Sequence, residues 1–200
     1  MSISLSHFTL KAEETLLKAQ QMASEGRQAK VEPEHLLLSL LEQNDPMTEF
    51  CLDKLQLENG IIQQKLQLQI RDFPKDQENS AQTFISRSLH GIILSAEKEA
   101  TLLNETYTNV DHLLLGLLNF QEGFLGEIWS NLGASADYLR KELSGLSKAE
   151  QVIVQGSKLS ESAIEDYQSA RQEYYESLGT FDTFGRGWTR RVEETTSSAI

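Results

Sequence analysis

The chain has 200 residues, 39% of them apolar, enough for a real core in one large domain or two small ones. Its 18 basic and 30 acidic residues give a formal charge of −12, which argues against a sequence-independent grip on nucleic acid phosphates or an anionic membrane surface and favours protein partners. Cys51 is the single cysteine, so a disulfide framework and a CxxC metal or redox site are excluded, and a reducing compartment fits. The start, Met1 to His7, lacks the basic region and apolar run of a secretory signal, and no segment approaches the roughly 20 apolar residues of a membrane span. A cytoplasmic location is therefore expected, with no membrane partner.

The first helix is expected from Phe8-Thr9 to about Glu25. Thr9 is placed to cap it by accepting from orphan backbone N–H groups, and Gly26 to end it. Small Ala19 and Ala23 on its apolar face let a second helix approach closely. That second helix begins at Pro33, where a missing N–H is tolerated, and carries the octet Glu34-His35-Leu36-Leu37-Leu38-Ser39-Leu40-Leu41. It is apolar over most of its circumference, as a helix at the centre of a domain must be. Asp45-Pro46 opens a third helix ending near Leu55, and a fourth runs from Glu58 to Asp72. Residues 73–82, with Pro74 and a polar run, read as a linker.

The pattern then returns. Asp111-His112-Leu113-Leu114-Leu115-Gly116-Leu117-Leu118 repeats the octet at an offset of 77 residues (112 − 35 = 77). The same offset carries Ala12, Leu16, Ala19 and Ala23 onto Leu89, Ile93, Ala96 and Ala100, one helix face written twice. It also carries Met47, Cys51 and Leu55 onto Phe124, Ile128 and Leu132, and Ile62 and Leu66 onto Leu139 and Leu143. Helices are expected at about 86–103, 110–120, 122–132 and 136–144, with Ser86 opening the first of them. No strand-length alternating segment with hairpin signals occurs in 1–146, so the class is all-α. Two tandem four-helix repeats, about 7–72 and 83–146, make a domain over 1–146. Each is of a size at which an isolated core is marginal, and packing one on the other resolves that. Residues 147–200 read as a polar helical stretch, with Ile164, Tyr167, Ala170 and Tyr174 at helical spacing, and a partly disordered end.

Candidate chemistry is sparse. His35 and His112 lack a second ligand at i+3 or i+4, so no metal site is expected, and a His in the first turn of a buried helix is expected to bond the neighbouring backbone. Cys51 lies at an apolar helix position, no GxSxG surrounds any serine, and no GxxxxGK[ST] forms a phosphate cradle. Neither catalysis nor a cofactor is expected. Trp188 with Arg186, Arg190 and Arg191 is the one basic-aromatic cluster, and beside Glu193 and Glu194 it reads as a solvated tail rather than a nucleic acid contact.

A helix with small residues followed by an acid-His-Leu-Leu-Leu-x-Leu-Leu helix, twice in tandem, resembles the double Clp repeat, the amino-terminal domain of Clp-type AAA+ unfoldases. The resemblance covers about residues 7–146. It implies a compact pseudo-twofold bundle of eight helices that binds adaptors and exposed segments of unfolded clients in a shallow groove with an apolar floor and a polar rim near the starts of the repeat helices. Carried over by position, the rim residues are Thr9, Glu105 and Asp111, the last an Asp where Glu is commoner. Phe184-Gly185-Arg186-Gly187-Trp188-Thr189 is similar to the stretch with which those unfoldases enter their first ATPase module, although Gly187 and Trp188 depart from it. No Walker motif follows. The resemblance thus implies a non-catalytic binding module, monomeric in isolation; the competing expectation is an accessory subunit that docks on the Clp ATPase or protease ring and tunes proteolysis.

Overall fold

Thr9 ends the extended lead-in and caps α1 (Leu10–Glu25), its hydroxyl accepting the Ala12 N–H at 3.3 Å. The computed structural model describes residues 6–43, 45–75 and 83–145. After α1 come a two-residue strand β1 (Lys30–Val31), α2 (Pro33–Glu42), α3 (Pro46–Lys54) and α4 (Asn59–Arg71). The second half repeats the order with β2 (Phe84–Ile85), α5 (Arg87–Leu102), α6 (Val110–Asn119), α7 (Gly123–Leu132) and an eighth helix, α8, described over 136–145. Adding 77 to the bounds of α1 and α2 gives those of α5 and α6 (10 + 77 = 87, 25 + 77 = 102, 33 + 77 = 110, 42 + 77 = 119). The class is all-α, as the sequence predicts.

The caps follow from the sequence. Ser86 caps α5 by accepting the Leu89 N–H at 3.1 Å, and Asp45 caps α3 by accepting from Met47 and Thr48. Gly133 closes α7 at a φ of 64°, a left-handed conformation that carries little steric cost without a Cβ.

The two octet helices form the centre. Every residue from Pro33 to Leu41 in α2 and from Val110 to Leu118 in α6 is buried. Helix α1 lies on α2 and α5 on α6, while α6 also meets α1, α2 and α3, so the halves share one core. Ala12, Ala19, Ala23 and Ala96 are fully buried, and their small side chains permit the close helix approach that the sequence predicts.

Short strand pairs stitch the halves together. Val31 pairs with Ile85 in the parallel β1–β2 ladder, and Phe8 forms an isolated parallel bridge with Thr108. These pairs are each other's equivalents across the repeat (8 + 77 = 85, 31 + 77 = 108). Each half therefore lends the residues before its first helix to the residues before the other half's octet helix. The hydrogen bonds match: Ser86 N–H to Val31 O at 3.1 Å, and Thr9 N–H to Thr108 O at 3.0 Å. Strands of two residues are too short for an alternating pattern to register in the sequence.

Among the described residues no helix is long and apolar enough to cross a membrane. The reading of 147–200 as a polar helical tail lies outside the described residues.

Candidate functional site

The expected rim residues gather where α1 and α6 begin. Thr9 donates its hydroxyl to Asn109 Oδ1 at 3.0 Å, and Asn109 is the N-cap residue of α6. Asp111 follows in the first turn of α6, and Glu105 lies in the α5–α6 loop with its Oε2 3.9 Å from His112 Nε2. Their exposure differs. Thr9 and Asp111 are buried, at 6% and 4%, whereas the Glu105 side chain is one-third exposed, at 33%. Of the three expected rim residues, Glu105 is thus the one that solvent reaches, while Thr9 caps α1 and Asp111 is buried in the first turn of α6.

Both octet histidines bond the backbone. His35 Nδ1 accepts the Glu32 N–H at 3.0 Å, and His112 Nδ1 accepts the Asn109 N–H at 2.9 Å. A backbone N–H can only donate, so each Nδ1 is an acceptor and each neutral imidazole carries its proton on Nε2. In the first half that proton is used: His35 Nε2 meets Gln28 Oε1 at 2.6 Å, and the Gln28 amide donates to Ile70 O at 2.6 Å. Burial pushes His35 down to about 4.

The second half differs at one position. Glu105 stands where the offset places Gln28 (28 + 77 = 105), and its carboxylate stays outside hydrogen-bond range of His112. Among the described residues His112 Nε2 and Asp111 Oδ1 are buried without a hydrogen-bond partner. Asp111 Oδ1 also lies 3.6 Å from His112 Nδ1, so two acceptors face each other. Burial, reinforced by the nearby Asp45 charge, pushes the Asp111 carboxyl up to about 6. Burial also lowers His112, against the opposing pull of Glu105 and Glu99.

Glu105, Asp111 and His112 offer ligand atoms within 4.8 Å of one another, a spacing that metal sites use. The histidine does not fit that role. A cation at Nδ1 would have to break the Asn109 bond, and one at Nε2 would require the imidazole to lose its remaining proton. The orphan at Nε2 is a donor in need of an acceptor, which is the chemistry of a carboxylate or amide rather than of a metal. Cys51 is equally unsuited to nucleophilic chemistry: it is fully buried, and its thiol is pushed up to about 12 by burial and by Asp111 and Asp45.

Two expected outcomes test this network. Glu105→Gln supplies the amide that Gln28 supplies in the first half, and it should raise stability by about 1 kcal/mol, measured by urea denaturation. Asp111→Asn tests the buried carboxyl. Its folded value lies above its unfolded one, so its contribution is fully present below about pH 4 and is lost as pH rises through about 6. The variant should therefore gain on the wild type across that window, by up to about 3 kcal/mol at pH 7.5 and by almost nothing at about pH 3.

Sequence reasoning missed Asn109 and Gln28. Both were within reach of the repeat, because Asn109 is the equivalent of the N-cap Glu32 (32 + 77 = 109) and Gln28 that of Glu105. It also missed a groove of about 350 Å³ between α4 and α7, lined by Leu68, Phe124 and Ile128 among others.

Comparison with known proteins places this geometry. Residues 7–132 and 92–177 match the profile of the Clp repeat (R) N-terminal domain. The chaperone protein ClpB of Porphyromonas gingivalis is 23% identical over 165 residues, covering 82% of this chain and 19% of the relative. ClpB of Mycobacterium leprae is 28% identical over 159 residues, 80% of this chain and 19% of the relative. The chain thus spans about a fifth of the length of these curated relatives. Among solved structures, the N-terminal domain of the ClpV1 ATPase from an enteroaggregative E. coli type VI secretion system aligns at a TM-score of 0.60 with 25% identity, covering 72% of this chain and 88% of that one. The Hsp104 N-terminal domain of Candida albicans aligns at 0.60 with 19% identity, over 70% of this chain and 91% of that one. A ClpV N-domain in complex with a VipB peptide aligns at 0.60 with 17% identity, over 72% and 91%. With the repeated octets, the eight helices among the described residues and the profile match in agreement, the chain belongs to the Clp repeat N-terminal domain family.

Proposed function

We propose that this chain is a non-catalytic protein-interaction module of the Clp chaperone and protease system, which binds adaptors or unfolded client segments beside the starts of α1 and α6. The similarity to a ClpV N-domain bound to a VipB peptide is the observation that carries this reading. The geometry supports it: Glu105 offers a solvent-accessible carboxylate beside the helix starts that the Thr9–Asn109 hydrogen bond joins. Binding at so small a surface is weak, with a dissociation constant on the order of 10–100 µM.

Titration of a fluorescently labelled, permanently unfolded polypeptide, and separately of the host's Clp ATPase and adaptors, tests it. Saturable binding that Glu105→Lys weakens severalfold is expected. Absence of binding to all of them at roughly 1 mM, an order of magnitude above that range, would sink the reading. A pull-down from host lysate separates its two forms: varied clients favour substrate capture, and ring or protease subunits favour an accessory role on the Clp ATPase.

A further inference from the structure

The groove between α4 and α7 is separate from the helix starts around Glu105. Leu68, Phe124 and Ile128 give it an apolar lining, and Lys65, Asp72 and Glu127 line it with charge. Leu68 is 54% exposed, and Ile61, two turns earlier on the same face of α4, is 52% exposed. A helix that leaves two large aliphatic side chains half in water on one face has an unpartnered face.

The internal repeat shows how the equivalent seam is satisfied. The offset relates Asn131 to Lys54 (131 − 77 = 54), Lys65 to Glu142 (65 + 77 = 142) and Glu127 to Phe50 (127 − 77 = 50). Between α3 and α8, Lys54 Nζ pairs with Glu142 Oε2 at 2.8 Å and lies 5.4 Å from the centre of the Phe50 ring. That seam is closed by an ion pair over an aromatic face. Between α4 and α7 the lysine has become Asn131, the glutamate Lys65 and the phenylalanine Glu127, so the pair that closes the first seam has no equivalent there. Lys65 and Glu127 make no ion pair among the described residues.

We propose that the α4–α7 groove is a second docking surface, which takes an amphipathic helical segment of a partner protein with an apolar side chain set between an acid for Lys65 and a base for Glu127. The apolar side chain covers Leu68 and Phe124, and the two charges complete on the partner what Lys54 and Glu142 complete within the chain. This surface is independent of the one around Glu105, and its failure would leave the reading of that surface intact.

The test titrates a blocked synthetic peptide of repeating Glu-Leu-Leu-Lys units into the full, isotopically labelled chain. Saturating amide shifts at Lys65, Leu68, Phe124 and Ile128 are expected. Lys65→Glu and Glu127→Lys, both at exposed positions, should each weaken binding about fivefold, and a peptide with Gln in place of its charged residues should bind more weakly. Three results would overturn the proposal: shifts confined to the neighbourhood of Glu105, groove shifts that follow protein concentration without peptide, as a second copy would produce, or contacts from residues 147–200 to the groove in the free chain.

Discussion

Trp129→Ala is expected to lower stability by about 3–5 kcal/mol and the melting temperature by roughly 10 °C, measured by chemical denaturation and calorimetry. Trp129 is 1% exposed in α7, and its indole N–H donates to Leu117 O of the central helix α6 at 2.9 Å. Truncation removes the largest fully buried side chain among the described residues, leaves a cavity and deletes one of the two hydrogen bonds to Leu117 O, which keeps the Phe120 N–H at 3.1 Å. Trp129→Leu, which refills part of the volume, should recover about half of the loss. The first half has Leu52 at the equivalent position (129 − 77 = 52), so this hydrogen bond belongs to the second half alone.

Gly116→Val should cost about 3 kcal/mol, for the opposite reason. A Cβ at Gly116 would lie 2.7 Å from Ile92 O and 3.2 Å from Ala96 N, both backbone atoms of α5 that cannot swing aside. The equivalent in the first half is Ser39 (116 − 77 = 39). There a side chain fits, and its hydroxyl donates to Thr15 O at 2.7 Å. The octets look alike in sequence, but α5 approaches α6 closely enough to exclude a Cβ, while α1 and α2 leave room for a hydroxymethyl group. Gly116→Ser, which makes the second octet match the first, should therefore also destabilise, by about 2 kcal/mol on the same denaturation curve.

Much of the fold was legible because its signals are local and written twice. Helix starts at Thr9, Pro33, Pro46 and Ser86 lie at caps whose chemistry acts within one turn. The leucine-rich octets, apolar over most of their circumference, could only be central, since no orientation hides every leucine of such a helix at a surface. The histidine bonds to Glu32 and Asn109 span three residues and follow from the helix start itself.

The candidate site was less legible. Thr9, Glu105 and Asp111 do come together, yet a hydrogen bond from Thr9 to Asn109 joins residues 100 apart in the chain, and only the packing of the halves creates it. The burial of Asp111 and the exposure of Glu105 likewise depend on which helices cover them. The open seam between α4 and α7 depends on three substitutions across the repeat, each unremarkable alone.

The sequence by itself determined the helices, their duplication and the central place of the octets, because capping and amphipathic periodicity are properties of neighbouring residues. The tertiary structure decided the rest. It chose which equivalent positions stay alike and which diverge: Gln28 closes a hydrogen-bond chain that Glu105 leaves open, Ser39 fits where Gly116 is required, and Lys54 finds a partner that Asn131 cannot. Those differences arise from distances between helices far apart in the chain, and a buried donor, a missing Cβ or an unpaired charge acquires its energetic meaning only from what packs against it.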